Sequence, residues 1–142
     1  QAMTRASNLA GRAFTQAGVG YVHAIAHNFG ALYHTPHGLA NAIVMPYVLD
    51  FSLPKCAGRL AELARACDIG SGSDEDLAKA FIERIREMNA AFEIPTQLDA
   101  LNAEHIPQIA TAALQEARFT YAVPRYLDQK GCETLVAQML VA

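Results

Sequence analysis

The chain has no tryptophan, only 8% aromatic residues, three cysteines and only a small acidic excess, with 11 Lys and Arg against 14 Asp and Glu for a net charge of -3. Its basic residues are scattered rather than gathered into a stripe, which argues against a nucleic-acid or anionic-membrane surface. Cys56, Cys67 and Cys132 are odd in number, far apart and without CxxC spacing. They suggest neither a disulfide framework nor a thiolate metal site, and a reducing, cytoplasmic compartment is the expectation. The most apolar region, Ala42 to Leu53, is interrupted by Pro46 and Asp50 and falls well short of the roughly 20 residues of a membrane span. No charged leader runs into an apolar segment at the start. Phosphate-binding loops are missing too: Gly18-Val19-Gly20 lacks the third glycine and the preceding strand of a dinucleotide fingerprint. No Ser or Cys stands beside a convincing base.

What is present is apolar and helical. At 142 residues and 52% hydrophobic content the chain fits one ordinary domain or part of a larger one. It begins QAMTRASNLAGRAF without an initiator methionine and with a helix already under way, the look of a piece of a longer protein. Met3, Ala6, Ala10 and Phe14 recur at helical steps up to about Gln16, and Gly18 and Gly20 punctuate the end. A second helix is expected from Tyr21 to about Leu32, and a third, apolar nearly all round and kinked at Pro46, from Gly38 to about Phe51. After Pro54 come helices over Ala57 to Cys67, over Asp74 to Phe92 with Ser73 as N-cap, over Ile106 to Ala117 and over Asp128 to Val141. Their stripes, such as Leu60, Leu63, Ala64 and Cys67, or Leu77, Phe81, Ile85, Met88 and Phe92, read as core. An all-α bundle of about six or seven helices follows.

Four of the five histidines fall in Gly20 to Gly38, GYVHAIAHNFGALYHTPHG. Residues four apart on a helix differ by about 40° in azimuth, so His23 and His27 leave the same face one turn apart. A helix running straight on would carry His37 about 21 Å beyond His23. Gly30 and Pro36 supply the break, and His37 then opens the next helix, where a turn brings it back toward His23. Imidazole suits Zn²⁺ and Fe²⁺ alike. A metal site and a set of hydrogen-bonded core histidines are about equally supported by spacing. No carboxylate stands near the cluster in sequence, the closest downstream being Asp50. His34 reads as a loop residue and His105 as a surface or capping residue.

Ala6 to Phe51, ASNLAGRAFTQAGVGYVHAIAHNFGALYHTPHGLANAIVMPYVLDF, closely resembles the iron-containing (group III) alcohol dehydrogenases. It carries their AG-x-AF stretch, G-x-x-H-x-x-x-H-x-x-G and H-G-x-x-N-A, while the likeness downstream is looser and includes the late VPR at Val123 to Arg125. The resemblance implies the C-terminal helical domain of the dehydroquinate synthase-like fold, with residues 1–142 forming that domain and an N-terminal nucleotide-binding domain lying upstream. It implies that His23 and His37 ligate Fe²⁺ (or Zn²⁺). By the same match His27 lies beside the metal toward nicotinamide and substrate, as a catalytic and cofactor-side residue, and Phe14 lines the same pocket. The family's other two ligands, from a D-x-x-x-H motif, belong upstream of Gln1, so this piece alone is expected to be inactive. The implied activity is hydride transfer between a small alcohol and NAD or NADP, giving an aldehyde or ketone, often in a homodimer. Rival readings are a glycerol-dehydrogenase-like polyol enzyme of the same superfamily and a non-catalytic helical interaction module.

Overall fold

Periodic apolar spacing sets most of the helices of the computed structural model, which describes residues 1–141. Six α-helices follow one another: α1 Ala2–Ala17, α2 Tyr21–Tyr33, α3 His37–Ala66, α4 Asp74–Ala91, α5 Ile106–Thr120 and α6 Gln129–Ala137, with a short 3₁₀ turn at Ala103–His105. No strand occurs among the described residues, and no helix there is long and apolar enough to cross a membrane. The caps explain several boundaries. Ser73 and Asp76 close a reciprocal capping box ahead of α4, whose first turn also carries Asp74 and Glu75 where the helix dipole favours negative charge. Asp128 accepts the Gly131 N–H at 2.7 Å to start α6; a Cβ at Gly131 would lie 2.8 Å from that same oxygen, so a larger residue there would push the capping side chain aside. α6 stops at Ala137, short of the expected Val141.

The largest departure from expectation is α3. A helix ending near Phe51 and a second beginning at Ala57 are instead one helix of 30 residues that runs through both Pro46 and Pro54. Proline removes the donor to the carbonyl four residues back, normally enough to stop a helix. At Pro46 the deprived carbonyl is that of Ala42, and the Asn89 side-chain amide of α4 donates to it at 2.8 Å. Beside the carbonyl that Pro54 deprives, the Phe51 carbonyl takes a bond from Arg125 Nη1 at 2.8 Å, while the guanidinium stacks 4.2 Å above the Phe51 ring. Donors from distant segments thus stand at both perturbed turns, which local sequence cannot announce.

The main core joins α2, the first half of α3, α5 and α6 around Ile25, Phe29, Ile43, Val44, Ile109 and Met139, all essentially solvent-free. α4 closes on the second half of α3 through Leu60, Ala61, Ala64, Leu77, Ala78 and Ile82. The buried face of α4 is therefore turned relative to the expected stripe: Ala78 and Ile82 enter it, while Met88 and Phe92 are exposed. Leu63 and Cys67 are exposed as well. α1 departs furthest. None of its residues is buried, and Met3, Leu9 and Phe14 face solvent, so its apolar stripe is not core within this chain.

Candidate metal centre

The site is built by the reversal between α2 and α3. α2 runs on past Gly30 to Tyr33 and ends at His34, whose φ of 55° is left-handed. There the His34 N–H reaches the Gly30 carbonyl at 3.0 Å and the Thr35 N–H reaches that of Phe29, closing the helix in the manner of an αL cap. Thr35 is buried, extended Pro36 precedes α3, and the Pro36 carbonyl accepts the Ala40 N–H at 2.9 Å. His37, first residue of α3, therefore returns opposite the turn of α2 that carries His23. The ring centres of His23 and His37 lie 5.3 Å apart, those of His27 and His37 5.5 Å, and those of His23 and His27 5.8 Å. Phe14, at the end of α1, brings its ring to 6.4 Å from that of His23. All four residues singled out from the sequence stand in one patch, where His23 is half-buried and His27, His37 and Phe14 are exposed.

The other two histidines serve the scaffold. His34 supplies the left-handed turn. His105 stands at the N-cap of α5 without a side-chain cap bond; its Nδ1 shares a 3.0 Å hydrogen bond with the Tyr33 hydroxyl, and the two rings stack at 5.9 Å. This ties the end of α2 to the start of α5.

A carboxylate does belong to the cluster, contrary to the sequence reading, and it is not Asp50, which pairs with Arg86. Glu116 of α5, 89 residues from His27, accepts the His27 Nδ1–H at 2.7 Å, and the same oxygen accepts the Tyr121 hydroxyl at 2.6 Å. The bond to Glu116, with burial and the carboxylate charge, pushes the Tyr121 phenol up to about 12. The signal that was available is faint: Glu116 sits between Ala113 and Ala117, both buried, so it borders the core face of α5. Burial lowers the pKa of His23 below its ordinary 6.5, the neighbouring His37 and His27 lower it further, and Glu116 opposes them. A lowered pKa favours the neutral imidazole, the form a metal ligand requires.

Asn41, one turn into α3, steadies His37. Its Nδ2 donates to the His37 carbonyl at 2.8 Å and lies 3.3 Å from Nδ1 and 3.2 Å from Nε2 of the ring. An atom equidistant from both nitrogens cannot lie in the ring plane without striking Cε1, so the amide rests over the ring face and leaves the in-plane lone pairs clear. Two imidazoles bound tetrahedrally to one ion, each with nitrogen about 2 Å from it, put their ring centres roughly 5 Å apart. The His23–His37 separation of 5.3 Å fits that arrangement. Among the described residues no group of three or more His, Cys, Asp or Glu is placed to hold an ion, so the pair would need ligands from elsewhere. A surface cavity of about 510 Å³ lies apart from the histidines, lined by residues such as Tyr47 and Phe51 of α3 and Lys130 of α6.

Sequence and structure comparisons agree on one family. The sequence model described as Fe-containing alcohol dehydrogenase family, C-terminal, matches residues 1–140. The chain is 36% identical over 148 aligned residues to 1-propanol dehydrogenase PduQ of Citrobacter freundii, a match covering 97% of this chain and 40% of that enzyme. It is 40% identical over 96 residues to an NADPH-dependent butanol dehydrogenase of Clostridium saccharobutylicum, covering 68% of this chain and 25% of the relative. The solved alcohol dehydrogenase from Oenococcus oeni superposes with a TM-score of 0.84 at 30% identity, over 92% of this chain and 35% of that one. The chain thus spans two fifths or less of the length of these relatives.

Proposed function

The chain belongs to the Fe-containing alcohol dehydrogenase family, and from that premise we propose that residues 1–142 are the helical, metal-binding half of an NAD(P)-dependent dehydrogenase of small primary alcohols, working opposite a nucleotide-binding domain. The observation that carries this reading is the return of His37 to 5.3 Å from His23, ring centre to ring centre, across a helix reversal. Substrate size follows the relatives, whose names specify 1-propanol and butanol. A partner domain is consistent with the geometry, because the histidine patch lies on an open face rather than in a cavity, and a dry reaction site needs a second wall.

His23 and His37 would hold a divalent ion, Fe²⁺ or Zn²⁺, through ring nitrogens, with the remaining ligands supplied from outside the described residues. When bound, such an ion supplies Lewis-acid polarisation of an alcohol oxygen, and bound NAD(P) takes the hydride. The chain's own groups do the rest. The lowered pKa of His23 keeps its lone pair available, and the Asn41 amide, bonded to the His37 carbonyl, covers one face of the His37 ring. His27, beside both, is placed to accept or relay the proton of the alcohol hydroxyl. Phe14 walls the patch on the side of α1 and keeps water from the carbon that gives up hydride.

In the assembled enzyme, His37→Ala is expected to lose both bound metal, measured by elemental analysis, and turnover. Retention of either overturns the ligand assignment. His34→Asn, which preserves the left-handed turn, is the control expected to keep both.

A further inference from the structure

The His27–Glu116–Tyr121 chain has a directionality that the proposed function does not use. An ionised carboxylate oxygen can only accept hydrogen bonds. Glu116 Oε1 lies 2.6 Å from the Tyr121 hydroxyl and 2.7 Å from His27 Nδ1, so both neighbours donate and the proton of His27 sits on Nδ1. A free neutral histidine prefers its proton on Nε2, so this tautomer requires a partner. We propose that Glu116, anchored by Tyr121, is the positioning residue of His27, holding its ring with Nδ1 protonated and Nε2 bare and directed away from Glu116. The ring then presents a proton acceptor rather than a donor, the form required to take a proton from an alcohol hydroxyl.

The parts of this device are carried by packed helices. Glu116 is carried by α5, which packs along α2 with Ala113 and Ala117 buried on either side of the carboxylate. Tyr121 follows directly after the helix and meets the same oxygen. Partners of this kind fix the tautomer and orientation of metal-ligating histidines, where they are worth about 10–100-fold in activity or affinity, and the same scale is expected for His27 beside them. The inference rests on the reading of His27 as the substrate-side residue, and its test separates the two.

Nitrogen NMR of the histidine-labelled full chain, free of metal and at a pH where the ring carries one proton, reads the tautomer directly. The expected result is Nδ1–H for His27 in the unaltered chain, a shift to Nε2–H in Glu116→Ala, and retention of Nδ1–H in Glu116→Gln, which keeps an accepting oxygen. Glu116→Met, which lacks the acceptor but fills the space, gives the same reading where alanine impairs folding. An Nε2–H tautomer in the unaltered chain, or an unchanged Nδ1–H in Glu116→Ala or Glu116→Met, overturns the proposal. In the assembled enzyme Glu116→Ala is expected to lower kcat about 10–100-fold with metal content and KM little changed. If the tautomer moves and kcat does not, or if His27→Ala keeps full turnover, the role of His27 in the reaction fails while its positioning by Glu116 stands.

Discussion

At the scale of single residues, Tyr121 reports on the carboxylate it touches. Its phenol is pushed from the ordinary 10.0 up to about 12, first by the hydrogen bond to Glu116 and then by burial and the carboxylate charge. The folded state therefore holds this proton more tightly than the unfolded chain. The linked stability is fully present below pH 10 and is lost as pH rises from 10 through about 12, where the unfolded chain has already released the proton. Glu116→Met removes both the accepting oxygen and the charge and should bring the phenol back toward its ordinary value. Absorbance titration of tyrosinate tests this, with the step abolished by Tyr121→Phe identifying the residue among five tyrosines; a late step that survives Glu116→Met would refute the assigned cause. The approach of His23, His27 and His37 was legible in the sequence because a four-residue step and a helix break ahead of Pro36 are local geometry, although the break falls at left-handed His34 and not at Gly30. Glu116 was not legible, because its bond to His27 closes across 89 residues and depends on how α5 is rotated against α2.

At the scale of elements, α2, α4 and α5 carry their signals in apolar period, α4 also in its capping box, and the sequence places them within a few residues. α3 does not, since a proline reads as a break unless something else supplies the missing donor. Asn89 is that donor for the Ala42 carbonyl. Removing it leaves a half-buried carbonyl unpaired, so Asn89→Ala is expected to cost about 1–3 kcal/mol. Pro46→Ala restores the backbone N–H to Ala42, and in that background the same Asn89 change should cost much less. Denaturant unfolding of the four proteins gives the coupling energy, which cancels the cavity left by the smaller residue at Pro46. A coupling near zero would show that Asn89 contributes through packing against α3 alone. The same logic explains why the α4 stripe was misplaced by part of a turn: Met88 and Phe92 continue the apolar period, but at that end of the helix it is Asn89 that meets α3, at the Ala42 carbonyl, and apolar period alone does not say which face a partner covers.

At the scale of the whole molecule, the chain divides into a bundle that packs on itself and a helix that does not. α2 to α6 bury the core, whereas α1 buries nothing, pairs with no other helix to any extent, and leaves Met3, Leu9 and Phe14 in solvent. Its sequence is as periodic as that of the core helices, so periodicity showed an apolar face without showing what covers it. Burial gives the expected thermodynamics: a helix with no buried side chain adds almost nothing to the stability of the rest, while truncating fully buried Phe29 to alanine should cost about 3–5 kcal/mol. For a domain of this size each kcal/mol shifts Tm by about 3–5 °C. Removal of residues 1–17 is therefore expected to leave Tm of the chain within a few degrees and to abolish much of its binding of an apolar dye, while Phe29→Ala lowers Tm by about 10 °C or more. A truncated chain that melts far below the intact one would mean that α1 packs on the bundle after all. Dye binding that persists undiminished would place the exposed apolar surface elsewhere, at Phe92, Phe119 and Tyr126, which are 75%, 88% and 85% exposed.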